Sequence, residues 1–216
     1  MSNATRWTIS FAIVIVVVAF SYEWLDRPIA LYVHQEFHGV KALPLLTFIP
    51  EWLAAVAVAA FVIMGWRVVL GHHLSRFESV FLVCGVSLAV ATAIKDQLKL
   101  VFGRTWPETW INNNPSLIRN NVYGFNPFHG GAGYASFPSG HTTAICAVMT
   151  VLWICYPKYR AIYMLLIAAV VIGLIGADYH FLSDVIAGGF LGVSTGWITV
   201  VFWERAERLL RPATAK

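Results

Sequence analysis

The chain has 216 residues, of which 58% are hydrophobic and only 12% charged, with 15 Lys and Arg against 11 Asp and Glu. A soluble domain carries about 25% charged residues, so this balance excludes an ordinary soluble enzyme and implies an integral membrane protein, a single domain of about six spans over residues 1–216. The formal net charge of +4 does not imply nucleic acid, because the cations lie beside apolar runs, and Cys84, Cys146 and Cys155 all fall inside such runs, which excludes a disulfide framework or a thiolate zinc site.

A helix that crosses the hydrocarbon core needs roughly 20 mostly apolar residues. Six segments qualify, at about 7–25, 46–70, 78–97, 141–157, 160–177 and 183–203, so the predicted class is all-α. The first has some features of a secretory signal peptide, with Arg6 before it and "AFS" near its end. Removing it would leave five spans with unbalanced flanking charge, and it is read as a span. Arg6, Arg67, Arg76, Lys158, Arg160, Arg205, Arg208, Arg211 and Lys216 all fall on one side of this topology, the side that the positive-inside rule assigns to the cytoplasm. Both termini are then cytoplasmic, in the inner membrane of a bacterium. The segment 26–45, the loop of about 98–140 and the turn near 178–182 face the periplasm. No internal repeat interrupts this plan.

Three polar clusters share the outer side. The first, "KDQLKLVFGRTWP", places Lys95, Lys99 and Arg104 at the outer end of the third span, where snorkelling cations are the plain explanation. The second, "FPSGHTT", leads into the fourth span. Ser139 or Thr142 can cap that helix. The same geometry also offers free backbone N–H groups and a permissive Gly140 to an anion, with His141 beside it as a proton donor. The third, "GADYHFLSD", spaces His180 and Asp184 four apart, on one face of a helix that starts there. A carboxylate on one ring nitrogen leaves the other free as nucleophile or base, whereas the bland alternative is a hydrated turn with Asp184 as a cap. Taken together, cations, an anion-cradling turn and a His–Asp pair are the parts that phosphoryl transfer needs.

These residues resemble the type 2 phosphatidic acid phosphatase superfamily, which also contains glucose-6-phosphatase and the vanadium haloperoxidases. Its three ordered motifs are K-x6-R-P, P-S-G-H and S-R-x5-H-x3-D. Pro138, Ser139, Gly140 and His141 match the second in full; His180 and Asp184 match the end of the third, and Lys99 and Pro107 match the first at the right spacing. The resemblance implies a six-helix membrane bundle with the motifs on the non-cytoplasmic side, and a phosphatase acting on a lipid-linked phosphate. It implies His180 as nucleophile, Asp184 as its orienting carboxylate and His141 as the acid for the leaving oxygen, with Lys99, Arg104, Ser139 and Gly140 binding phosphate oxygens and no metal or cofactor.

The family's arginine positions are occupied by Trp106 in the first motif and Leu174, after Gly173, in the third. Arg104 is the expected substitute for one; for the other the candidates are Arg119, Lys95 or no residue at all. Asp178 adds a negative charge close to the expected nucleophile. Two alternatives stand beside hydrolysis: transfer of the phosphate to a second lipid or sugar, and a non-catalytic lipid-binding or transport role on the same scaffold. Phosphatidic acid, phosphatidylglycerol phosphate, undecaprenyl pyrophosphate and lipid A phosphates all fit the pattern. Trp106, Trp110, Tyr123, Phe125 and Phe128 are expected to shape that choice, while His129 is read mainly as loop structure. Nothing in the sequence speaks to oligomeric state.

Overall fold

Apolar runs surrounded by lipid can satisfy their backbone groups only within themselves, and each of the long runs is helical. The structure, a computed structural model, describes residues 3–110 and 112–210. Helix α1 (Asn3–Phe20) passes through a π-helical turn (Ser21–Leu25) into α2 (Asp26–Phe37). Then come α3 (Ala42–Leu46), α4 (Phe48–Val69), α5 (Arg76–Phe102), the short α6 (Leu117–Asn120), α7 (Gly140–Cys155), α8 (Arg160–Gly176) and α9 (Leu182–Leu210). Among the described residues, five stretches are long and apolar enough to cross a membrane: Thr5–Phe37, Ala42–Val69, Arg76–Phe102, Pro157–Gly176 and Leu182–Leu209. α7 is apolar and shorter, at 16 residues.

All six expected segments are helical, but two boundaries differ. The outer segment 26–45 is not an irregular connection, because α2 carries the first rod on to Phe37. The long outer loop begins only after Phe102, where Gly103 closes α5 in the left-handed region at φ 55°. A Cβ there would lie 1.8 Å from the carbonyl oxygen of Asn126, so only glycine fits. At the opposite end α5 starts with a capping box: Ser75 Oγ accepts from the Glu78 amide, and the Glu78 carboxylate accepts from Ser75 N–H at 2.8 Å.

α7 lies at the centre, packed against α9, α5, α4 and α8. Its contact with α9 is set by three glycines one turn apart. A Cβ on Gly188, Gly192 or Gly196 would come within 2.5, 2.4 and 2.7 Å of the carbonyl oxygens of Ser139, Thr143 and Ala147 respectively. Small residues every fourth position allow backbone to lie on backbone, the usual device for helix pairs in lipid. The rising register, 188 to 139 and 196 to 147, makes the two helices parallel. Their N-termini, which carry His141 and the His180 turn, therefore emerge at the same end.

The loop over that end is tied down by isolated bridges from Arg104 to Phe125 and Ala135 and from Trp106 to Ser116. Successive spans alternate in direction, so Arg6, Arg67, Arg76, Lys158, Arg160, Arg205 and Arg208 gather at the other end. Arg211 and Lys216 lie outside the described residues. Gly192→Val should cost about 1–3 kcal/mol through overpacking and lower the thermal midpoint in detergent. Gly65→Ala on α4, where nothing stands within 4 Å of the new Cβ, should leave that midpoint unchanged or raise it.

Candidate active site

Beneath the loop, the Arg104 side chain is wholly buried and its guanidinium is shared by two buried carboxylates. One nitrogen donates to Asp184 Oδ1 and Ser183 Oγ; the other donates to Asp26 Oδ2 at 2.7 Å and Tyr123 Oη at 3.1 Å. Asp26 in turn accepts from the Ser183 amide at 2.9 Å and from the Ser183 hydroxyl. The rings of Tyr22, Tyr123, Phe125, Phe137 and Phe181 enclose the cation at 4.5–5.9 Å. Burial works to discharge the guanidinium, but Asp184 and Asp26 outweigh it and hold its pKa above the ordinary range. The π-helical turn adds a residue just before Asp26. Tyr22 at its start takes the Tyr123 hydroxyl on its carbonyl at 2.6 Å.

Asp184, at the start of α9, is saturated with donors. Its Oδ2 accepts from Ser136 Oγ at 2.6 Å and from the Phe181 amide at 3.0 Å, and lies 3.4 Å from His180 Nδ1. His180 thus has Nδ1 turned toward Asp184 and Ser136, which leaves Nε2 as its free nitrogen. Burial pushes the His180 pKa down to about 4; Asp184 pulls the other way, and Lys99 and His141 add to the depression. The ring is neutral at pH 7, the state in which a histidine nitrogen is a nucleophile.

His180 forms one wall of a cavity of about 420 Å³. Across it stands His141, ring centroids 6.4 Å apart, with Nε2 3.6 Å from Glu51 Oε1. Lys95 and Lys99 line the same space, as do Gly140, Trp106 and Trp110, while Pro50, Ala54 and Ala144 supply apolar wall. A Cβ on Gly140 would lie 3.7 and 3.8 Å from the Nζ atoms of Lys95 and Lys99, so the absent side chain leaves room for an anion between these amines and the start of α7. Trp106 packs on His180 with centroids 5.2 Å apart, donates from Nε1 to the Ala132 carbonyl at 2.8 Å, and has Lys99 Nζ 5.8 Å above its ring.

Residues 81–208 match the PAP2 superfamily, a stretch that holds most of α5, the outer loop, α7, α8 and all but the end of α9. The chain belongs to the PAP2 superfamily. Over 120 residues it is 31% identical to the lipid A 1-phosphatase of Rhizobium etli and 30% to that of Rhizobium johnstonii. The match covers 54% of this chain and 47% and 45% of those proteins, so it spans about half the length of these curated relatives. The crystal structure of a transmembrane PAP2-type phosphatidylglycerolphosphate phosphatase from Bacillus subtilis has the same fold, with TM-score 0.55, 18% identity, and coverage of 92% of this chain and 96% of that one. The PAP2 fold, with its long apolar helices, makes this an integral membrane protein with several transmembrane helices.

Within this PAP2 fold the expected residues do not all converge. His141, His180, Asp184, Lys95, Lys99 and Gly140 are brought together around or directly behind the cavity. Arg104, expected on phosphate, is not in the cavity: its guanidinium is directed at Asp26 and Asp184 because a buried cation needs buried partners. Arg119 is exposed and lines a separate cavity with His34, His38 and Glu108. Ser139 is buried as the N-cap of α7; its hydroxyl accepts from Thr142, and its amide donates to the Asp184 carbonyl at 3.0 Å. Its backbone is therefore committed to joining α7 to α9, and the first-turn amides left for an anion are those of Gly140 and His141.

Leu174, at the family's arginine position, is buried against Ile145, Cys146 and Val170, and its carbonyl accepts the Tyr179 and His180 amides. The neighbouring Gly173 is where α3 meets α8, with Leu43 and Leu46 against its Cα. Asp178, at φ 57°, is buried and bonded to His34 Nδ1 at 2.9 Å and does not line the cavity beside His180 and His141. Burial raises its pKa, with Glu108 adding to the rise and His34 opposing it. Of the aromatic set, Trp106 and Trp110 line the cavity, whereas Tyr123 and Phe125 serve the Arg104 cage and Phe128 is exposed. His129 stacks on Tyr134 at 3.8 Å, within the loop.

Sequence reasoning missed Asp26, Ser136, Ser183 and Glu51. A carboxylate close after an apolar run, as in "EWLDRP", was the available signal for Asp26. Asp26→Ala should destabilise the protein by about 3–5 kcal/mol, the cost of leaving one member of a buried pair behind, as read by denaturant unfolding in micelles. Arg104→Ala should unfold at similarly low denaturant, whereas Lys99→Ala should retain wild-type stability.

Proposed function

We propose that the chain is a membrane phosphatase that hydrolyses a lipid-linked phosphomonoester through a phosphohistidine intermediate. The observation that carries this reading is a pair of imidazoles across one cavity, one facing the buried Asp184 and the other beside Glu51, with two lysines in the lining. His180, neutral and held by Asp184, has the lone pair of Nε2 to offer to phosphorus. The P–O bond to the lipid breaks as the N–P bond forms, and His141 gives its proton to the departing oxygen. Lys95, Lys99 and the amides of Gly140 and His141 meet the charge on the equatorial oxygens. In the second half, His141 takes a proton from water, the water oxygen attacks phosphorus, and the N–P bond breaks to release phosphate and restore His180. No step needs a metal.

A lipid substrate is supported by the mixed lining, with Pro50, Ala54 and Ala144 opposite the charged groups, as an anchored headgroup requires. The lipid A 1-phosphate named for the Rhizobium relatives is the first candidate; phosphatidylglycerolphosphate, named for the Bacillus enzyme, is the second. We place the chain in a bacterial inner membrane, six helices across, with both termini cytoplasmic and the cavity toward the periplasm. The support is the seven described cations at the end away from the cavity.

Phosphate release from a lipid panel by protein in detergent tests the scheme. His180→Ala should fall to background, and His141→Ala should lose about 10²–10⁴-fold in kcat; undiminished release by His180→Ala ends the mechanism. Orthovanadate should inhibit the wild type as a mimic of five-coordinate phosphorus. Because the His180 pKa lies near 4, below the unperturbed value of about 6.5, the nucleophile stays unprotonated as pH falls through 6. The acid limb of kcat/KM assigned to His180 should therefore appear near pH 4, and a limb at the ordinary histidine value would contradict the burial argument.

A further inference from the structure

A second group of chemistry-bearing side chains stands at the outer end, apart from the phosphate cavity. His34 and His38 are one turn apart on α2 and its cap, so both rings project from the same face, with centroids 4.4 Å apart. Asp178, from the turn between α8 and α9, meets them there. One ligand atom from each of His34, His38 and Asp178 can be chosen so that all three lie within 4.8 Å of one another. Glu108 brings a second carboxylate, its Oε2 3.7 Å from His34 Nδ1, and His34, His38 and Glu108 line a cavity of about 390 Å³ together with Arg119.

Asp178 is the telling member. It is 3% exposed, and its Oδ1 is buried without a hydrogen-bond partner while Oδ2 takes His34. A buried carboxylate oxygen with nothing to accept is costly. The residue also adopts a left-handed backbone, at φ 57°, which orients it into this position.

We propose that His34, His38 and Asp178, with Glu108 as fourth ligand, form a binding site for a divalent transition metal of the zinc class. Two imidazoles and carboxylate oxygens are a donor set that suits zinc, whereas calcium and magnesium favour oxygen alone. Ligand atoms around a tetrahedral zinc lie roughly 3.3 Å apart, given bonds of about 2.0–2.1 Å. Small rotations of the exposed His38 close the remaining gap. Two neutral imidazoles, two carboxylates and a divalent ion sum to no formal charge, the balance a partly buried site requires. The bound ion would fasten α2 to the turn that carries His180 two residues further on, and would supply the partner that Asp178 Oδ1 lacks.

The test uses full-length, tag-free protein in detergent, stripped with chelator and then equilibrated with Zn²⁺, and counts bound metal by elemental analysis. Co²⁺ serves as a second probe, because tetrahedral coordination with nitrogen ligands gives strong visible bands. One zinc per chain should survive desalting, and the Co²⁺ bands should disappear when zinc is added. His38→Ala, which alters only an exposed side chain, and the isosteric Asp178→Asn should each weaken binding by about tenfold or more. His72→Ala/His73→Ala, at the opposite end of the molecule, should bind as wild type does. The proposal fails if the wild type retains no zinc from micromolar solution. It fails equally if His38→Ala and Asp178→Asn bind like wild type, or if the His72/His73 variant is the one that loses the metal.

Discussion

The guanidinium of Arg104, out of reach of water and divided between Asp26 and Asp184, is the interaction on which the outer half of the bundle depends. A cation in that position is tolerable only with both carboxylates in place, and the three groups come from three distant parts of the chain: the middle of the first helical rod, the start of the outer loop and the start of the last helix. To lift the loop is to strand all three charges. The long loop over the site is consequently anchored at its root and crossed by the backbone bonds that run from Arg104 and Trp106 to Phe125, Ala135 and Ser116. The same ion pair fixes Asp184, whose second oxygen is what His180 Nδ1 faces.

Charge is thereby divided into two layers. The lower layer holds the arginine and its acids, closed off by five aromatic rings, and its work is to position. The upper layer holds Lys95, Lys99 and the amides at the start of α7, open to the cavity. Where other members of the superfamily present arginine, this chain has Trp106 packed on the His180 ring and Leu174 in the core. Lysine grips a phosphate as a point charge on a flexible stem and not as a rigid fork. In the proposed reaction more of the geometric control then falls to backbone amides and to Trp106, which packs on the His180 ring.

That control rests on the contact between α7 and α9. Gly188, Gly192 and Gly196 allow the two backbones to touch, and the Ser139 amide is bonded to the Asp184 carbonyl at 3.0 Å where the helices begin. His141 stands in the first turn of one of two parallel rods in direct contact, and His180 in the tight turn two residues before the other begins, facing Asp184 there, so helix packing and that short turn together set their separation. A reaction that needs a nucleophile and an acid on opposite sides of one phosphorus gains from such mounting, because small misplacements are costly.

The six helices were legible in the sequence because an apolar run of some 20 residues in lipid has one backbone solution. His141, His180 and Asp184 were legible by residue type and motif spacing, although the last helix begins only at Leu182, so His180 meets Asp184 from the turn before it and not along a helix face. Arg104 was visible as a cation in the right stretch, yet its partner Asp26 stands 78 positions earlier, after an apolar run, and nothing local links the two. Nor could spacing tell that Arg119 faces a different cavity, that the Ser139 amide is already used, or that His34 meets Asp178 across 144 positions. The sequence by itself determined which segments are helices, which way they alternate and which residues can do chemistry, because these follow from hydrophobicity, charge and local periodicity. Only the tertiary structure decided which polar groups are buried as partners of one another and which are left facing the cavity. That choice depends on contacts between residues far apart in the chain, made when the helices pack.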